Sequence, residues 1–189
     1  MSHVAKAFVC ALTISTLILA TSQAADVFSP PAVGDEAAEF ELESLSSGEK
    51  VSLKETLKTS PVVLVILRGY PGYQCPICNR QVGELISKKE AFEGVRVLLV
   101  YPGPDDQLKA KAKEFMGKKT LPGNFDLLLD PGLKVTTAYN LRWDAERETS
   151  YPSTFVINKE GQMTYAVVSV THGGRPPVSE VINAVKALK

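Results

Sequence analysis

Apolar residues along this chain of 189 gather into two kinds of run. In the first kind they are continuous and rich in β-branched side chains, as in "PVVLVIL" (61–67) and "GVRVLLVY" (94–101). Runs of that length without polar alternation predict strands buried on both faces. In the second kind the apolar positions recur at helical spacing. Val82, Leu85 and Ile86 mark a helix over 76–91. "DDQLKAKAKEFMG" (105–117) opens with acids and closes on glycine, as a capped helix does. Val181, Ile182, Val185 and Leu188 give one apolar face to a closing helix, with Ser179 as its predicted cap.

Shorter segments complete the order. "AEFELES" (38–44) alternates like a strand and "SLKETLK" (52–58) suits a short helix. "FDLLLD" (125–130) and "PGLKVTTAYNL" (131–141) predict a short strand and a short helix. "STFVIN" (153–158) and "MTYAVVSVT" (163–171) predict two strands joined by the hairpin turn "KEGQ". The sum is β-α-β-α-β-α-β-β-α, an α/β sandwich whose sheet starts parallel and ends antiparallel.

The first residues follow another pattern. "MSHVAK" carries one lysine, Lys6, and "AFVCALTISTLILA" (7–20) is an apolar run too short to span a bilayer comfortably. "TSQAAD" then sets Ser22 and Ala24 at small-x-small spacing. This predicts a signal peptide over 1–24, cleaved after Ala24 or one residue later, and a periplasmic or secreted protein. The competing reading is an uncleaved membrane anchor. Residues 25–36, with two adjacent prolines and no periodicity, read as a linker, which leaves 37–189 as the domain.

Composition narrows the function classes. The chain is 44% hydrophobic and 22% charged, with a formal net charge of zero, as an ordinary globular protein is. It offers no basic face for nucleic acid. The lysines at 109, 111, 113, 118 and 119 read as one solvated helix end, and "RWDAERET" (142–149) as a solvated excursion.

The candidate chemistry lies in "RGYPGYQCPICNRQ" (68–81). Cys10 belongs to the apolar leader, so a mature chain keeps two cysteines, Cys75 and Cys78. They follow a buried strand and open a helix, with Pro76 suited to the first turn. Free N–H groups and a partial positive charge at a helix start stabilise a thiolate. The i, i+3 spacing brings the sulfurs within bonding range. A closed zinc site wants about four ligands, and the mature chain adds one histidine, His172. A purely structural disulfide would close a loop too short to contribute much chain entropy. A redox dithiol is the reading that uses both the spacing and the strand–helix position. His172, in the turn "THGGR", reads as a surface residue.

This stretch, with the β-α-β pattern around it, resembles the thioredoxin fold, a three-layer sandwich with a mixed central sheet. "YPSTFVIN" (151–158) resembles the segment in which a cis-proline precedes a strand, which implies Pro152 opposite the cysteines. "FDLLLDPGLKVTTAYNL" (125–141) resembles a segment common to the alkyl hydroperoxide reductase/thiol-specific antioxidant family. Peroxiredoxins carry Pro-x-x-x-Thr-x-x-Cys. Here Pro71, Cys75 and Cys78 keep that spacing, with Cys75 where threonine stands. Where those enzymes have a peroxide-polarising arginine, this chain has Pro152, which leaves Arg68 and Arg142 as substitutes.

The resemblance implies two mechanisms. In the favoured one, Cys75 attacks a substrate disulfide and Cys78 resolves the mixed disulfide, the pair ending as a Cys75–Cys78 disulfide. In the alternative, Cys78 attacks a hydroperoxide and Cys75 resolves. Tyr73, Gln74, Tyr151 and Pro152 are the implied substrate contacts. Electrons come from a thiol donor, without organic cofactor or metal. A non-enzymatic binding module on the same scaffold is the third reading, disfavoured by the intact cysteine pair.

Overall fold

The structure, a computed structural model, describes residues 28–104 and 106–188. The predicted signal peptide and Cys10 lie outside the described residues. Seven strands form one sheet in the order β2-β1-β5-β4-β3-β6-β7. They are β1 (Glu41–Ser44), β2 (Lys50–Ser52), β3 (Val62–Ile66), β4 (Arg96–Gly103), β5 (Phe125–Pro131), β6 (Ser153–Ile157) and β7 (Met163–Val168). β3, β4 and β5 run parallel, and every other pairing is antiparallel. The helices are α1 (Leu53–Leu57), α2 (Pro76–Ser87), α3 (Leu108–Met116), α4 (Lys134–Ala138) and α5 (Val178–Lys186).

β3 explains the layers. Its side chains alternate between the sheet's two faces, and both faces are covered. Val63, Val65 and Leu67 join the core beneath α2, α3 and α5. Val62, Leu64 and Ile66 join the core beneath α1 and α4. All six are fully buried. The result is the expected three-layer α/β sandwich with a mixed central sheet.

Several local expectations shift. The helix expected over 76–91 ends at Ser87, and a 3₁₀ turn follows over Lys89–Phe92. α5 begins at Val178, one residue before Ser179, and no side chain caps it. β2 falls in a stretch with no strand signal, because three residues are too few to show alternation. The segment expected as a linker is partly docked. Glu36 bridges Gln162, the Gly34 N–H donates to the Met163 carbonyl (2.8 Å), and Met163 N–H donates to the Asp35 carbonyl (2.9 Å).

Past β3 the chain stays against β4. Leu67 N–H donates to the Val100 carbonyl (2.9 Å) and Tyr70 N–H to the Pro102 carbonyl (2.9 Å). Gly69 sits between them at φ +66°, and a Cβ there would come within 1.8 Å of the Pro102 oxygen. Only glycine fits that left-handed position at so close an approach. It aims the loop 70–75 toward the start of α2. Gly69→Ala is expected to destabilise the protein by more than about 2 kcal/mol, read as a lower urea midpoint at unchanged slope.

Candidate functional site

The cysteines lie where β3 and the loop after it deliver the chain to α2. Cys75 has extended backbone (φ −84°, ψ 108°) and is the N-cap of α2. Its sulfur accepts the Cys78 backbone N–H (3.3 Å), taking the place of the oxygen that usually caps a helix. Pro76 at the first helical position loses no hydrogen bond there. Cys78, one turn on, accepts the Arg68 backbone N–H (3.4 Å). Both residues carry free thiols in this structure. Cys75 is 4% exposed and Cys78 is fully buried.

The two sulfurs are not equivalent. The Cys78 thiol hydrogen-bonds to Cys75 and lowers its pKa to about 5, against the opposing effect of burial. The Cys78 backbone N–H and the charges of Arg175 and Arg68 push the same way. Cys78 moves upward, first because it is the donor in that bond and then because it is buried. The pair therefore holds one negative charge, on Cys75.

The cation facing the sulfurs is Arg175, which spacing did not single out. Its Nη2 lies 3.1 Å from Cys78 Sγ and 3.8 Å from Cys75 Sγ. The turn that carries it is tied by its own bonds. Ser169 Oγ donates to the Thr171 carbonyl (2.7 Å) and accepts the Gly174 N–H (3.0 Å). Arg175 N–H and Nη1 donate to the carbonyls of Gly173 (2.8 Å) and His172 (2.9 Å). In the sequence Arg175 closes the turn "THGGR". Its partner lies 97 residues away, beyond any spacing rule.

The two arginines proposed as substitutes point elsewhere. The Arg68 guanidinium is buried against Glu148, with contacts of 2.5 and 2.7 Å, and lies 4.7 Å from the Tyr73 ring centre. Only its backbone reaches Cys78. Arg142 Nη1 donates to the carbonyls of Trp143, Glu148 and Thr149 (3.1, 3.0 and 2.7 Å). The segment 142–149 is thus solvated at its tip, from Asp144 to Arg147, and anchored at its end. There Glu148 also bonds His172 Nε2 (2.8 Å). Burial works against the Glu148 carboxylate, yet its bonds to Arg68 and His172 hold it below the usual range. His172 is 56% exposed, and its ring lies 5.0 Å from that of Trp143.

The implied substrate contacts divide. Tyr73 is 43% exposed and free to meet a visitor. Gln74 instead ties the loop to α3: its Nε2 donates to the Lys111 carbonyl (2.9 Å) and its Oε1 accepts Tyr101 Oη (2.7 Å). Tyr151 stacks on Trp143 at 4.8 Å and 13° and packs against Phe28 at 4.6 Å. Pro152 differs from expectation. Its peptide bond is trans, as is every bond among the described residues, and its ring is buried. The Ser169 N–H takes its carbonyl (2.9 Å), which extends the β6–β7 ladder through that residue. No group of three or more His, Cys, Asp or Glu among the described residues could hold a metal.

Two outcomes are expected. Alkylation of reduced protein by iodoacetamide should plateau well below the pH of a free thiol and fall with a midpoint near pH 5. Because the folded-state pKa is depressed, the stability that the thiolate lends the reduced form is present above the free-thiol pKa and is lost as pH falls toward about 5. Glu148→Gln leaves Arg68 buried without its counter-ion and should cost about 3–5 kcal/mol in chemical denaturation.

The AhpC/TSA family profile matches residues 33–166. No curated protein sequence gives a significant match. Among solved structures, the yeast mitochondrial 1-Cys peroxiredoxin superposes with TM-score 0.65 at 18% identity, covering 84% of this chain and 76% of that one. A Plasmodium vivax 2-Cys peroxiredoxin gives 0.65 at 22%, covering 84% and 82%. A putative thiol:disulfide interchange protein DsbE from Chlorobium tepidum gives 0.59 at 20%, covering 83% and 97%. At these identities the superpositions speak for the fold. The profile spans most of the domain and includes the paired thiols at the start of α2, and on that ground the chain belongs to the AhpC/TSA family of thiol-dependent oxidoreductases.

Proposed function

We propose that this protein reduces or exchanges disulfides, with Cys75 as nucleophile and Cys78 as resolving thiol. The observation that carries the reading is the inequivalence of the sulfurs. Cys75, at the helix cap, holds the thiolate and retains slight exposure, whereas Cys78 is a buried thiol that donates to it. The thiolate is the attacking species in disulfide exchange. Tyr73, exposed on the loop just before Cys75, is the contact proposed for the incoming chain. A thiol donor then returns the disulfide to the dithiol. The reading includes export to the periplasm or beyond, on the strength of the leader pattern in residues 1–24.

One observation favours a second reading. Arg175 stands nearer Cys78 than Cys75. A guanidinium beside Cys78 suits a thiol peroxidase in which Cys78 attacks a hydroperoxide and Cys75 resolves its sulfenic acid.

Separate serine variants discriminate the two. Cys75→Ser is expected to abolish insulin reduction. Cys78→Ser should complete the first attack and accumulate the mixed disulfide, seen by mass spectrometry. Rapid hydroperoxide consumption by Cys75→Ser under excess thiol would transfer the nucleophile's role to Cys78.

A further inference from the structure

Once Cys75 has attacked, the chemistry passes to a sulfur that no base among the described residues touches. Cys78 is fully buried, and both protein groups against it besides Cys75 are donors: the Arg68 backbone N–H at 3.4 Å and Arg175 Nη2 at 3.1 Å. The Arg68 guanidinium is neutralised by Glu148. Tyr101, the phenol whose charge would bear on Cys78, is engaged with Gln74. One turn along α2, Gln81 donates to Thr154 Oγ1 (3.2 Å) and carries no charge.

Arg175 differs from Arg68 in having no carboxylate partner among the described residues. Nη1 is fixed on the His172 carbonyl and Nη2 faces the sulfurs. Its Nε–H is buried and has no acceptor among the described residues. A half-buried guanidinium without a carboxylate partner favours an anion beside it. In the resting dithiol that anion is the Cys75 thiolate, at the longer distance. When Cys75 becomes a mixed disulfide its charge is gone. The cation then faces Cys78 alone, with Nη1 still held on the His172 carbonyl.

We propose that Arg175 is the catalytic residue of the second half-reaction: its guanidinium, in place of a base, carries the negative charge on Cys78 as that thiol ionises and attacks Cys75. The inference rests on the reading in which Cys75 is the nucleophile. The Cys75 thiolate attacks a substrate disulfide, forms one sulfur–sulfur bond and expels the first thiolate, which takes a proton from solvent. Cys78 then releases its proton to solvent and its sulfur attacks Cys75. The mixed bond breaks, the second thiolate leaves and accepts a proton, and the Cys75–Cys78 disulfide remains. Two electrons pass from the dithiol to the substrate.

The test uses a neutral disulfide, 2,2′-dithiodipyridine, whose two halves are released as coloured thiopyridone in successive phases. Arg175→Gln should leave the first phase within about threefold and slow the second by roughly tenfold or more, the loss expected of one charge-assisted hydrogen bond. The acid-quenched mixed disulfide should accumulate, and the second phase's pH midpoint should move upward. Arg175→Lys, which keeps the charge and loses the fork, should fall between. A second phase unchanged in rate and midpoint, or both phases slowed alike, overturns the proposal. If Arg175→Gln does not fold, Arg175→Lys decides on the same criteria. Cys78→Ser separates the two failures: it releases one thiopyridone if Cys75 is the nucleophile, and none in the first phase if that underlying reading is wrong.

Discussion

The Cys78 backbone N–H donates to the Cys75 sulfur, and that contact closes the first turn of α2. It makes a thiol serve as a helix cap, which places the sulfur at the positive end of the helix with free N–H groups facing it. The i, i+3 geometry then sets Cys78 beneath it, close enough to donate its own proton. That bond fixes the helix start and places the second thiol beside the first, and the thiol's own hydrogen bond does most to put the charge on Cys75. Burial alone would raise both thiols. Only Cys78 ends up raised, because a single negative charge shared by the pair is better placed on the less deeply buried sulfur, with the other thiol donating to it.

Around the pair the chain places two arginines in opposite circumstances. Arg68 is a structural ion: its guanidinium is matched by Glu148, its carbonyl is held by the Thr149 hydroxyl, and its N–H supports Cys78. Arg175 is anchored only through carbonyls and directs its charge at sulfur. Glu148 links the two, since it also holds the His172 ring, and the His172 carbonyl holds Arg175. The segment 142–149 and the turn 169–175 therefore act as one brace across the dithiol.

This arrangement stands between the two chemistries of the family. Cys75 occupies the place where peroxiredoxins keep threonine, and it carries the thiolate as a disulfide reductase would require. Yet a guanidinium contacts Cys78, as a peroxidase would require, and it arrives from the turn after β7, while Pro152 stands at the start of β6. A second thiol in the threonine position lets one scaffold keep both sets of parts.

The amino-acid sequence by itself determined the layers and the dithiol's setting. Residues 61–67 could only be a strand covered on both sides, the β6–β7 hairpin was written in its turn, and Cys-Pro-x-Cys after a buried strand implied thiols at a helix start. These features depend on neighbours a few residues apart, where periodicity and turn chemistry operate. Tertiary structure decided the rest. It tied Gln74 to α3, kept Pro152 trans within the β6–β7 ladder, and turned Arg68 and Arg142 away from the sulfurs. It also brought in Arg175 from the turn after the edge strand β7. A charge's partner depends on strand register and loop closure over nearly a hundred residues, and no local pattern records that distance.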